Sequence, residues 1–145
     1  MNWQQLLTLM MERIKQVIGL YAFVLIPMWG MYVLNEAVFF GLWNIFGIVP
    51  RALDVGSMIG VFASWTMHGN FSHLLGNTLT LLQILFLFGL FENNAYRTVL
   101  KLIVASGLVT WVLASPSSIH IGSSGLCLGV LGFLLCGGGS GWAAC

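Results

Sequence analysis

Two polar clusters in an otherwise apolar chain carry the residue types that could do chemistry. The first is Gly122-Ser123-Ser124-Gly125, a pair of hydroxyls between glycines. The second is His73-Leu74-Leu75-Gly76-Asn77, an imidazole and a carboxamide four residues apart. On a helix that spacing places both side chains on one face. Each supplies N–H donors, and two donors aimed at one point are what the oxyanion of an acyl-transfer reaction needs. Ser124 supplies a hydroxyl, and a helix starting there adds backbone N–H groups and the positive end of a dipole. Gly122 and Gly125 allow close backbone approach. Serine and glycine at membrane helix contacts are usually packing residues. A histidine or asparagine in a bilayer is costlier, by roughly several kcal/mol unless paired, and points to function. His68 reads as an interface residue facing water. His120, four residues before Ser124, reads as a loop residue that caps or faces water.

The elements that must position these groups are membrane helices. Of 145 residues, 59% are hydrophobic and 6% charged, with a mean hydropathy of +0.96. Soluble domains carry about 25% charged residues, so the bilayer is the natural solvent. The net charge of +1 offers no polybasic patch and excludes nucleic acid as a partner. Cys127, Cys136 and Cys145 form neither a disulfide framework nor a paired metal-ligand spacing, and read as small apolar packing residues. No cofactor or metal is expected.

Charges punctuate the chain into segments, all within a single domain over 1–145. A short amphipathic start closes at Glu12, Arg13 and Lys15, and an uncharged stretch then predicts a helix over about 16–36, with a kink at Pro27. The region 39–67 is apolar but broken by glycines, Pro50, Arg51 and Asp54. It reads as a long structured loop in the headgroup region, with a re-entrant pair of half-helices as the alternative. Further helices are predicted over about 72–91, 98–114 and 123–136. The fold class expected is all-α, a polytopic helix bundle with about four spans. With the N-terminus in the cytoplasm, Arg13, Lys15, Arg97 and Lys101 lie inside and Arg51 outside, four against one, as the positive-inside rule asks. His73, Asn77 and Ser124 then share the outer leaflet at similar depth. Gly125, Gly129 and Gly132 form a smooth stripe for tight packing on the last helix.

At these residues the chain resembles the rhomboid family of intramembrane serine proteases. Gly122-Ser123-Ser124-Gly125 is similar to the family's G-x-S-G, and His73-x-x-x-Asn77 to its H-x-x-x-N. Gly47-Ile48-Val49-Pro50-Arg51 resembles a G-I-x-P-R string of the first loop in many bacterial members. Phe88-Gly89-Leu90-Phe91-Glu92 resembles the end of the family's second helix. The resemblance runs from about Phe46 to Phe133, in order and spacing. It implies a six-helix core and a serine–histidine dyad. Ser124 would be the nucleophile, and His73, Asn77 and the Ser124 N–H the oxyanion hole. Glu92 would be structural. The substrates implied are single-pass transmembrane proteins cut near the outer interface, and the location is a bacterial inner membrane with a cytoplasmic N-terminus.

One departure stands out. The family's base is a histidine on the sixth helix, and this chain stops in the fourth, in a Gly-rich tail from Cys136 to Cys145. A serine without a base is a poor nucleophile. The expectation is a truncated chain that inserts into the membrane without appreciable proteolysis. The alternatives are a catalytically inactive relative that binds membrane clients, and a small channel or transporter subunit.

Overall fold

The computed structural model describes residues 2–136. The helical elements are α1 (Trp3–Phe39), α2 (Val55–Ala63), α3 (Phe71–Phe91), α4 (Ala95–Leu113) and α5 (Ser124–Leu135). Two 3₁₀ turns, Leu42–Phe46 and Ser64–Thr66, flank α2. Three helices, α1, α3 and α4, are long and apolar enough to cross a membrane. This is an all-helical membrane-type fold.

Two predicted bounds need correction. The first helix starts at Trp3, well before residue 16, and runs for 37 residues. Asn2 explains the early start: its side chain accepts from the Gln5 N–H at 2.8 Å while Gln5 Oε1 accepts from the Asn2 N–H at 2.9 Å. This reciprocal cap satisfies end groups that otherwise fray. At 1.5 Å per residue α1 is about 55 Å long, so it overhangs a core of about 30 Å. The fourth predicted span exists as α5, but its 12 residues reach only about 18 Å. Among the described residues there are therefore three span-length helices rather than four. Residues 137–145, including the Gly-rich tail and Cys145, lie outside the described residues.

α1 packs antiparallel on α3 through three polar rungs. Gln16 Nε2 donates to the Gly89 carbonyl (2.8 Å), the Tyr21 hydroxyl to the Leu82 carbonyl (2.6 Å) and Trp29 Nε1 to Thr78 Oγ1 (3.0 Å). Between them lie the fully buried Leu20, Val24, Met28, Leu81 and Leu85, with Leu74 one turn beyond the last rung. In hydrocarbon such bonds contribute about 0.6 kcal/mol each, and close packing does the rest. Gly89 makes the approach possible, since a methyl there would stand 2.7 Å from Val17 Cγ2.

At the charged end of the bundle, Arg13 donates to the Glu92 carbonyl (3.4 Å) and to Asn93 Oδ1. The Glu92 carboxylate is buried and accepts from the Asn94 N–H at 2.9 Å. Arg13 thus stands by the α3–α4 turn, and Arg97 and Lys101 follow in the first turns of α4. Arg51 is at the opposite end, where its guanidinium donates to the Val112 carbonyl at 3.1 Å, at the close of α4.

The region 39–67 is a structured segment that contains α2 and the two 3₁₀ turns. Asp54 caps α2 by accepting from the Ser57 N–H at 2.9 Å. Ser57 Oγ is buried and clamps Val49, donating to its carbonyl (2.8 Å) and accepting from its N–H (3.1 Å). Arg51 takes a left-handed conformation, φ 61°, held by its N–H on the Trp111 carbonyl at 3.0 Å and by Trp111 Nε1 on the Ala52 carbonyl at 2.9 Å. α2 lies so close to α4 that a methyl on Gly107 would fall 2.0 Å from the Val61 carbonyl oxygen.

The glycine stripe on α5 also needs correction. Gly125 and Gly129 face α4, with Ser106 and Leu102 as the nearest side chains, while nothing lies within 4 Å of a methyl at Gly132. The stripe closes an existing contact, because Ser106 and Leu102 lie one turn apart and match the i, i+4 spacing of the two glycines.

Candidate active site

α3 begins with Asn70, whose side chain accepts from the His73 N–H at 2.8 Å. That cap fixes the first turn and sets His73 and Asn77 on the face toward α5. α5 begins at Ser124, after a turn in which Gly122 has φ 107°. The turn is held from two sides. Its N–H at Gly122 donates to the Ser64 carbonyl at 2.9 Å. Two residues earlier, His120 and Ile48 exchange both backbone hydrogen bonds, at 2.8 and 2.9 Å. The region after α1 therefore serves as the frame that holds the serine turn in place.

The two predicted clusters meet at Gly122. A methyl on Gly122 would stand 2.6 Å from His73 Cε1, 2.7 Å from His73 Nε2 and 3.3 Å from Asn77 Nδ2. Only a residue without a Cβ fits, both for that space and for the positive φ. His73 is half-buried, and its ring makes no hydrogen bond among the described residues. The two serines separate cleanly. Ser123 is fully buried and its hydroxyl donates to Met28 Sδ at 3.3 Å. Ser124 is exposed and its hydroxyl has no hydrogen-bond partner among the described residues. It lines a cavity of about 240 Å³ bounded by α2, α4 and α5, with Ser64, Trp65, Ser106, Thr110 and His120 around it. His73 and Asn77 do not line that cavity; they meet the backbone of the turn, two residues before Ser124.

Of the other two histidines, His120 lies in a loop as the sequence suggested, whereas His68 does not lie where the sequence put it. His68 does not face water. It is fully buried, and its Nε2 lies 3.0 Å from Asn77 Nδ2 and its Nδ1 3.3 Å from the Thr66 carbonyl. Its ring meets that of His73 edge to face, centroids 5.1 Å apart. The Gly69-Asn70 turn folds the segment before α3 back over the helix start, which brings a residue nine positions away onto Asn77. A histidine five residues before another, with a cap residue between, was the only sequence signal for this. Burial, with a smaller contribution from the His73 ring, pushes the His68 imidazole down to about 4 despite the Thr66 carbonyl. His120 is half-buried; its Nε2 sits 3.0 Å from the Ser115 carbonyl and 3.2 Å from Ser118 Oγ. No hydrogen bond joins any of the three imidazoles to Ser124 among the described residues.

No protein-family model matches the chain. Proteins of Mycobacterium tuberculosis and Mycobacterium bovis, each described only as uncharacterized, are 35% identical over 91 residues. A Mycobacterium leprae protein, also described as uncharacterized, is 33% identical over the same length. The match takes in 59% of this chain and 38% of the first two proteins, so the chain spans well under half the length of these relatives. No solved structure matches.

Proposed function

We propose that the chain carries the nucleophile and oxyanion hole of a rhomboid-type intramembrane serine endopeptidase. Its substrates are single-pass transmembrane proteins, cut near the outer membrane interface, in a bacterial inner membrane with the N-terminus cytoplasmic. One observation carries the reading: His73 and Asn77 converge on the Gly122 turn that ends in Ser124. In the reaction the Ser124 hydroxyl attacks the scissile carbonyl carbon and gives its proton to a base. The oxyanion accepts hydrogen bonds from His73, Asn77 and the Ser124 N–H at the head of α5. The intermediate expels the amine, which takes the proton, and water then cleaves the acyl-enzyme. The cavity beside Ser124 gives water a way to that bond. The rhomboid resemblance assigns the base to a histidine on a later helix of a six-helix core.

A second reading, a rhomboid-like protein that binds membrane clients without cutting them, draws on the lack of any imidazole bonded to Ser124 among the described residues. A fluorophosphonate probe separates the two. An oxyanion hole alone sustains weak reactivity, so slow labelling on Ser124 is expected, absent in Ser124→Ala and weakened in His73→Ala and Asn77→Ala. No labelling at Ser124 contradicts the protease reading.

A further inference from the structure

His68 is a fully buried polar group that the reaction above does not use. His68 is sealed from solvent between the Ser64–Thr66 turn and the start of α3. Its two ring nitrogens have different partners, and one of those partners leaves no choice. The Thr66 carbonyl can only accept, so Nδ1, 3.3 Å away, carries the proton. Burial keeps the ring neutral near pH 7. A neutral ring protonated on Nδ1 has a bare lone pair on Nε2, which can only accept. The Asn77 group 3.0 Å from it must therefore be the NH₂ and not the carbonyl. The reversed amide would set two lone pairs against each other in a buried site.

We propose that His68 is a positioning residue: it locks the Asn77 carboxamide so that one N–H is held by His68 Nε2 and the other is presented at the Gly122 turn. That second N–H has room at the turn, because Asn77 Nδ2 stands 3.3 Å from where a Gly122 methyl would be and glycine leaves that place empty. The same 3₁₀ turn serves both halves of the site. Its Thr66 carbonyl sets His68, and its Ser64 carbonyl receives the Gly122 N–H at 2.9 Å. A shift of this turn would move donor and serine together. The catalytic meaning of the lock rests on the oxyanion role given to Asn77 above; the lock itself does not.

The test uses the 145-residue chain in detergent micelles with ¹⁵N-labelled histidine and asparagine. Long-range ¹H–¹⁵N spectra at pH 7 should show His68 neutral and protonated on Nδ1. The Asn77 side-chain amide signals should move in His68→Phe and return in His68→Gln, whose carbonyl can replace the Nε2 acceptor. An Nε2-protonated or charged His68, or an unchanged Asn77 amide in a folded His68→Phe, overturns the proposal. If His68→Phe does not fold, the wild-type tautomer decides alone. A second readout is the rate of fluorophosphonate labelling at Ser124. His68→Phe and Asn77→Ala should each slow it by about a hundredfold, the double variant no further, and His68→Gln should recover most of it. Additive losses overturn the proposal. Absent labelling of wild-type Ser124 overturns the protease reading only, and the tautomer result then still decides the lock.

Discussion

Gly122→Ala places a methyl group where the two halves of the site meet. That methyl would sit 2.6 and 2.7 Å from His73 ring atoms and 3.3 Å from Asn77 Nδ2. It would also force a residue with a Cβ to hold φ 107°. The backbone conformation costs about 1–2 kcal/mol, and forcing a methyl into filled space costs about 1–3 kcal/mol. A stiffer unfolded chain returns about 0.4–1 kcal/mol. The net loss expected is about 2–4 kcal/mol. Reversible unfolding in mixed micelles measures it, with Gly132→Ala as the control because nothing lies within 4 Å of a methyl there. The control should be unchanged or slightly stabilised. If His73 and Asn77 serve Ser124 as proposed, Gly122→Ala should also lose Ser124 labelling while still folded, because the methyl would push the His73 ring and the Asn77 amide away from the turn. Gly122→Ala within about 0.5 kcal/mol of wild type, the ordinary range for surface changes, would refute the convergence of His73 and Asn77 on this turn.

Ser124→Ala should abolish probe labelling, whereas Ser123→Ala should keep it, because the Ser123 hydroxyl is spent on Met28 Sδ; retained labelling in Ser124→Ala would count against the register. Impermeant thiol reagents should modify single cysteines placed at Ser72 and Ser118 in intact cells but not one at Asn93, and the reverse pattern would invert the proposed orientation. Stability should depend on pH through His68. Its imidazole is lowered from 6.5 to about 4 in the fold, so the unfolded chain binds the extra proton in that window, and stability should be full above about 6.5 and fall as pH drops towards 4. The groups facing His68 are the His73 ring, the Asn77 amide and the Thr66 carbonyl; denaturation midpoints for wild type and the non-titrating His68→Gln should lie close at neutral pH, with wild type falling below the variant as pH drops towards 4. Gly107→Ala should destabilise the α2–α4 contact by about 1–3 kcal/mol, since the clash is with the Val61 carbonyl oxygen at 2.0 Å; an unchanged unfolding midpoint would show that the two helices are not in such contact.

The span-length helices were legible because hydrophobic runs between charges measure a bilayer directly, and α3 begins and ends within a residue of its predicted bounds. The meeting of His73 and Asn77 with the serine turn was legible as matched depth. The exact partners were not, since depth says nothing of rotation about a helix axis. The N-terminal extension of α1 was missed because Gln4, Gln5, Glu12 and Arg13 interrupt the apolar run, whereas the Asn2 cap makes helix there regardless. The glycine stripe on α5 was legible as a packing face but not by partner: a smooth face fits any ridge, and only the fold shows that Ser106 and Leu102 of α4 fill it. The burial of His68 is not legible in the sequence, because it comes from the fold-back at Gly69-Asn70, a tertiary feature that leaves no periodic signal.

The most direct test of the proposed function is cleavage itself. The 145-residue chain and a version continued by two rhomboid-type helices that carry the base histidine are purified in detergent. Each is given a single-pass transmembrane substrate, and products are read by mass spectrometry. Cleavage is expected from the continued chain alone, lost in Ser124→Ala and kept in Ser123→Ala. Cleavage by the short chain that depends on Ser124 would place the base within residues 1–145. Cleavage that survives Ser124→Ala, or none from the continued chain, would contradict the assignment of Ser124 as the nucleophile of an intramembrane protease.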